Sequence, residues 1–271
     1  MPKHAKLDLV ENGFTILEGV YSAEEVAAAR TLIVRVIEYA ERGLEDPFDR
    51  YYLPHRSDQG VLYDVVQRHP GLWQLARSPQ VLDIVASVLG DDVLMYENSV
   101  VYKPKGKRNS VPFHQDFISR PDEPLKLIAW TALEPVTVAS GAMKVIPGSH
   151  RNGFLPWHRV KGETHHDRIN ESAMPTDTAV YAELEPGDVL IFNQLLVHGS
   201  DEVHTDSLRV ALRVSYQGFG SVETPRGTPL VMRGGDPEHL ATHFPRRAAD
   251  LPRSPLWKRI AHLVGRRLTS L

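Results

Sequence analysis

The chain has 271 residues, 42% of them hydrophobic and 24% charged, with a formal net charge of −3. This is an ordinary globular composition, long enough to bury a large core, and its charge balance gives no reason to expect a nucleic-acid partner. The absence of cysteine excludes disulfides, thiolate-bound zinc and a cysteine nucleophile, leaving His, Asp and Glu as metal ligands.

Residues 1–10 lack the apolar centre of a signal peptide, and no apolar run approaches the roughly eighteen residues of a membrane span. A soluble, cytoplasmic protein without membrane contact is expected. Phe14-Thr15-Ile16-Leu17 reads as a short strand. Ser22 and Glu25 form a capping box, and Val26, Ile33, Val36 and Ile37 follow at helical spacing until Gly43 offers a stop. The stretch 44–59 is polar and aromatic, a long loop of the kind that shapes pockets. A second helix is predicted from Pro79, capped by Ser78, to Gly90.

From Val93 the period becomes that of strands. Strands are predicted at 93–96 and 99–102, a basic turn at 103–108, a strand at 126–133 and a tight segment at 141–150. A long polar stretch over 151–178 follows. A turn at Glu185-Pro186-Gly187-Asp188 then leads into Val189-Leu190-Ile191-Phe192, and an alternating strand spans 208–216. Many short strands after helices predict a mainly β domain with flanking helices, folded as a double-stranded β-helix or jelly roll. The expected division of one domain is a helical flank over 1–92, a core over about 93–220 and a basic tail over 221–271. In that tail Leu256, Ile260, Leu263 and Val264 mark one apolar helical face, which fits a helix packed on its own domain or one bound to an anionic surface.

His114 and Asp116 are two residues apart, so in an extended chain an imidazole and a carboxylate point the same way. With His198 they provide two imidazoles and one carboxylate, the facial triad of non-haem Fe(II) oxygenases. His150, His158, His165 and His166 are rival ligands.

Phe113-His114-Gln115-Asp116, Trp130-Thr131-Ala132-Leu133-Glu134, the segment 141–150, Pro186-Gly187-Asp188 and His198-Gly199-Ser200 occur in one order that resembles the phytanoyl-CoA dioxygenase-like family of Fe(II)/2-oxoglutarate oxygenases. Glu11-Asn12-Gly13-Phe14 is similar to that family's opening. The resemblance implies a jelly roll that holds Fe(II) by His114, Asp116 and His198 and uses 2-oxoglutarate and O2. It also implies Arg209, eleven positions after His198, as the partner of the far carboxylate of 2-oxoglutarate. Ser200 would donate a hydroxyl to the same group, with Tyr102 and Trp130 as walls. Arg213 is the rival to Arg209 on the same strand face. The family's asparagine-serine pair after the second histidine is replaced here by His204-Thr205-Asp206-Ser207.

The implied reaction converts the co-substrate to succinate and CO2 while a substrate C–H is oxidised. Some relatives replace the carboxylate ligand with a small residue and halogenate, so Asp116 points instead to hydroxylation, desaturation or ring closure. Candidate substrate walls are 50–56, 103–108, Gln115 and 154–168, polar enough to suit a polar small molecule. The excess of arginine over lysine, 22 against 9, and the compact size suggest a bacterial natural-product (antibiotic) tailoring enzyme. The alternatives are a cupin-type metalloenzyme without 2-oxoglutarate, which would not need Arg209, and a non-catalytic ligand-binding barrel.

Overall fold

A helical layer lies against the larger of two opposed β-sheets in the computed structural model, which describes residues 3–41, 60–103, 110–162, 167–219 and 230–235. The N-terminal part contributes α1 (Lys3–Asn12), β1 (Phe14–Leu17), α2 (Ala23–Glu41), β2 (Val61–Tyr63), two short helices, α3 (Val65–Arg68) and α4 (Trp73–Ala76), and α5 (Pro79–Leu89). The strands that follow are β3 (Val93–Lys103), β4 (Val111–His114), β5 (Lys126–Ala132), β6 (Met143–Val145), β7 (Trp157–Arg159), β8 (Asp167–Ile169), β9 (Val180–Ala182), β10 (Val189–Asn193), β11 (His198–Ser200), β12 (Arg209–Gly218) and β13 (Leu230–Arg233).

The seven-stranded sheet runs β1-β10-β5-β12-β3-β13, with β2 also paired to β3, and the four-stranded sheet runs β4-β11-β6-β9. This is the expected jelly roll. Period-two alternation decides what each face carries. From β12, Val210, Leu212 and Val214 face outward into the core shared with Ile33 and Ile37 of α2 and Val81, Ile84 and Val85 of α5. Ala211 faces inward with Ile128, Trp130, Leu190 and Phe192, and Val145 and Ala182 of the small sheet close that second core.

The capping box at α2 forms in both directions: Ser22 N donates to Glu25 Oε2 at 2.8 Å and Glu25 N to Ser22 Oγ at 3.3 Å. Ser78 precedes α5, but its side chain makes no capping bond; its carbonyl accepts from Leu82 N at 2.9 Å. The two strands expected at 93–96 and 99–102 are one strand, β3. The polar Glu97 and Asn98 between them are buried, and Asn98 Oδ1 accepts from Val66 N at 2.9 Å, so what reads as a break is a bonding position. Within the polar stretch after residue 150, β7 and β8 form a separate two-stranded ribbon. Helix α1 is an addition to the expected elements. The loop 44–59 and the predicted tail helix lie outside the described residues, while β13 pairs with the β3 edge. Among the described residues no helix is long and apolar enough to cross a membrane.

The turn before β10 ties both layers together. Asp188 accepts from Gly19 N and Glu185 N, each at 2.8 Å, and Gly187 N donates to Ala132 O at 2.9 Å. Gly187 has φ +99°, and a Cβ there would lie 2.5 Å from the Tyr21 carbonyl oxygen. Gly187→Ala is therefore expected to destabilise the fold by about 2–3 kcal/mol, from left-handed strain and a backbone clash, as a lowered midpoint in thermal or urea unfolding.

Candidate active site

The register of β4 on β11 places His114 opposite His198, and the two imidazole centroids are 4.2 Å apart. Asp116 follows β4 immediately. One donor atom from each of His114, Asp116 and His198 lies within 4.8 Å of the other two. Each ring is oriented by the backbone: His114 Nδ1 is 2.9 Å from Pro112 O and His198 Nδ1 is 3.0 Å from Leu196 O. A carbonyl only accepts, so each Nδ1 carries the proton and each Nε2 keeps its lone pair for a metal. Two imidazoles oriented in this way and one carboxylate fit Fe(II), and would also take other divalent first-row ions.

The charges support that state. Burial, reinforced by the neighbouring His114, pushes the His198 pKa down to about 4, so its ring is neutral at physiological pH. Burial alone would raise Asp116, but the Arg213 guanidinium bonded to it outweighs that and holds the carboxyl at about 2. Arg213 Nη2 donates to Asp116 Oδ2 at 2.8 Å and Nη1 to Glu97 Oε1 at 3.0 Å. Arg213 thus has both terminal nitrogens engaged beside the triad.

A cavity of about 280 Å³ runs from the triad in two directions. One end has Lys103, Trp130, Met143, Phe192, Ser200 and Arg209; the other has Tyr63, Glu97, Ser99, Phe117, Arg120 and Arg213. Arg209 is buried, donates through Nη1 to Gly141 O, and stands with Cζ 5.2 Å from the Trp130 ring centroid. Its Nε has no hydrogen-bond partner among the described residues. Burial lowers its pKa to about 10, which still leaves it a cation. Ser200 Oγ accepts from Lys103 Nζ at 2.9 Å. Burial and the facing Arg209 bring the Lys103 pKa down to about 7. This end therefore sets two basic groups and a hydroxyl around one part of the cavity.

Several expected residues fall elsewhere. Tyr102 borders the cavity, but it belongs to the helix-side core, because alternation turns Lys103 inward instead. Lys103, expected in a turn, ends β3 and belongs to the cavity. Gln115 turns away from the cavity as a brace: its Nε2 donates to Gly153 O at 2.9 Å and Leu195 O at 2.6 Å, and its Oε1 accepts from Leu155 N at 2.8 Å. The described residues of 154–168 do not line the cavity. His150 bonds Val10 O at 3.1 Å and His158 bonds Asn170 at 2.8 Å, both apart from the triad, while His165 and His166 lie outside the described residues. Glu97, Ser99 and Phe117 escaped the sequence reading. Phe117 has φ +58°, unusual for a bulky residue, and this turn directly follows the carboxylate.

Gln115→Leu would leave two carbonyls and one N–H without this partner in the interior. A loss of about 3 kcal/mol or more of stability is expected in chemical denaturation. Because the Leu195 end of that brace leads into β11, weaker binding of a divalent ion by calorimetry should accompany it.

Residues 9–211 match the family described as phytanoyl-CoA dioxygenase (PhyH). A probable phytanoyl-CoA dioxygenase of Caenorhabditis elegans is 32% identical over 158 residues, covering 54% of this chain and 51% of that protein. The ectoine dioxygenase of Sphingopyxis alaskensis is 25% identical over 252 residues, covering 82% of this chain and 80% of that protein. The chain spans between about half and two-thirds of the phytanoyl-CoA dioxygenases it matches, 51% of the nematode protein and 65% of the rat one. Among solved structures, EvdO2 from Micromonospora carbonacea var. aurantiaca complexed with 2-oxoglutarate superposes with a TM-score of 0.64 at 22% identity, over 88% of this chain and 95% of that one. The match to the family over most of its length, on a jelly roll with this His-Asp-His group, is decisive: the chain belongs to the phytanoyl-CoA dioxygenase family.

Proposed function

We propose that this chain is a non-haem Fe(II)/2-oxoglutarate-dependent oxygenase that oxidises an unactivated C–H of a polar small molecule. The observation that carries this reading is one cavity with a metal-competent triad and, at one end, a buried arginine whose Nε has no hydrogen-bond partner among the described residues. A cupin-type enzyme without 2-oxoglutarate, or a binding barrel, has no use for that arrangement.

His114, Asp116 and His198 would hold the iron. Bound iron with 2-oxoglutarate and O2 supplies the oxidising power, as the co-substrate loses CO2 to become succinate. The chain's own residues orient the reactants and exclude water. Arg209 would pair with the far carboxylate of 2-oxoglutarate, a task for which its planar fork is suited. Ser200 would add a hydroxyl and Lys103 a second cation, while Trp130 lies beside the guanidinium. At the opposite end Tyr63, Ser99, Phe117 and Arg120 give the substrate an aromatic and hydrogen-bonding wall. That wall suits a polar molecule better than a long hydrocarbon chain. The family relation to an ectoine dioxygenase supports the same choice, and we place the enzyme in natural-product tailoring.

Adding Fe(II) and 2-oxoglutarate without oxygen tests this: the visible charge-transfer band of the chelate is expected, and its absence would remove the 2-oxoglutarate reading. Succinate release against a panel of polar natural-product precursors then finds the substrate. Truncating one partner of a buried, hydrogen-bonded charge pair costs about 2–5 kcal/mol, so Arg209→Ala should weaken 2-oxoglutarate binding by roughly thirtyfold to several thousandfold. Divalent-metal binding should change little.

The pH dependence follows from Lys103. Its pKa is lowered to about 7, so above that pH it is mostly neutral and must take up a proton to pair with a carboxylate. Affinity for 2-oxoglutarate is expected to fall as pH rises above about 7, and Lys103→Met should flatten that profile in the same titration.

A further inference from the structure

Resting on the metal-centre reading above, we propose that Arg213 is a positioning residue that restricts Asp116 to ligation through one oxygen, with Glu97 holding Arg213 in turn. Asp116 lies beyond the last paired residue of β4, so its main chain lacks the strand pairing that fixes His198. A carboxylate free to turn beside a divalent cation can chelate with both oxygens. That would consume a coordination position needed by 2-oxoglutarate, which takes two, or by O2, which takes one.

Arg213 removes that freedom. Its backbone is paired on both sides, opposite Ser99 on β3 and Trp130 on β5. Its two terminal nitrogens are engaged separately, Nη2 with Asp116 Oδ2 at 2.8 Å and Nη1 with Glu97 Oε1 at 3.0 Å. The Phe117 ring covers the guanidinium, with its centroid 5.5 Å from Cζ. The side chain is only 14% exposed, so water competes poorly for these bonds. With Oδ2 taken, Oδ1 is the oxygen we assign to the metal. A planar fork can grip two carboxylates at fixed angles, whereas a lysine ammonium could not hold both in this plane.

The test reads the carboxylate itself. Metal-minus-apo infrared spectra with Zn(II) report the splitting of the carboxylate stretches, wide for one-oxygen and narrow for two-oxygen ligation. Wild type is expected to show the wide splitting. Arg213→Met alone takes a cationic partner from the buried Glu97 and is at risk of misfolding. The informative variant is therefore Arg213→Met/Glu97→Gln, which removes both charges. It should show the narrow splitting, keep Zn(II) affinity within about threefold, and raise the 2-oxoglutarate dissociation constant of the anaerobic Fe(II) protein at least about tenfold. Glu97→Gln, which leaves Arg213 on Asp116, should stay close to wild type in splitting.

An unchanged splitting in the double variant overturns the proposal, as does loss of zinc binding, since Arg213 would then serve the fold of the site. A narrow splitting in wild type overturns it too. If zinc changes no carboxylate band in wild type, the metal centre itself is wrongly placed. If the zinc spectra behave as expected and 2-oxoglutarate gives no band with Fe(II), only the oxygenase reading fails.

Discussion

The pairing of β12 with β3 is the constraint on which the rest of the molecule depends. The register runs from Arg209 opposite Lys103, through Arg213 opposite Ser99, to Ser215 opposite Glu97. Alternation turns all of these inward and sends Val210, Leu212 and Val214 to the helix-side core. A slip by one residue would push the cations into that apolar core and the valines into the cavity. The two ends of the cavity are therefore two positions on one ladder, roughly 13 Å apart along the strand at about 3.3 Å per residue. The small sheet brings the facing histidines against the ground between them.

These ends solve the burial of a cation in opposite ways. Arg213 sits between two carboxylates that raise its pKa despite burial, so its charge is neutralised within the fold. Arg209 and Lys103 face each other instead, and burial lowers the pKa of both, with Arg209 depressing Lys103 further. The first arrangement is self-contained and suits a rigid support. The second sets two basic groups against each other, and under the proposed function a carboxylate of 2-oxoglutarate would sit between them.

What was legible in the sequence was what depends on short-range spacing. The two-residue step from His114 to Asp116 and the period-two run of β12 follow from local geometry, whereas the eleven-residue step from His198 to Arg209 came only with the family resemblance. What was not legible depends on partners distant in the chain. Glu97 and Asn98 looked like a break between strands because their polarity is answered by groups far along the chain, among them Arg213 and the main chain of Val66. Gln115 stands between two metal-ligand candidates and reads as a cavity residue. Its bonds go to Gly153, Leu155 and Leu195, segments whose approach no local pattern announces. Tyr102, expected as a wall, borders the cavity from the helix-side core, and Lys103, expected in a turn walling the substrate, ends β3 one residue beyond the expected strand and faces inward.

The facing of Arg209 and Lys103 has a consequence for the chain as a whole. Whenever Lys103 is protonated, two buried cations held opposite one another make the fold carry a repulsion that the unfolded chain does not. A dicarboxylate that relieves it binds only the folded form, so it draws the folding equilibrium toward that form by mass action. Under the proposed function, the co-substrate would then also act as a scaffold component, and its cellular supply would govern how much folded protein persists as well as how fast it works.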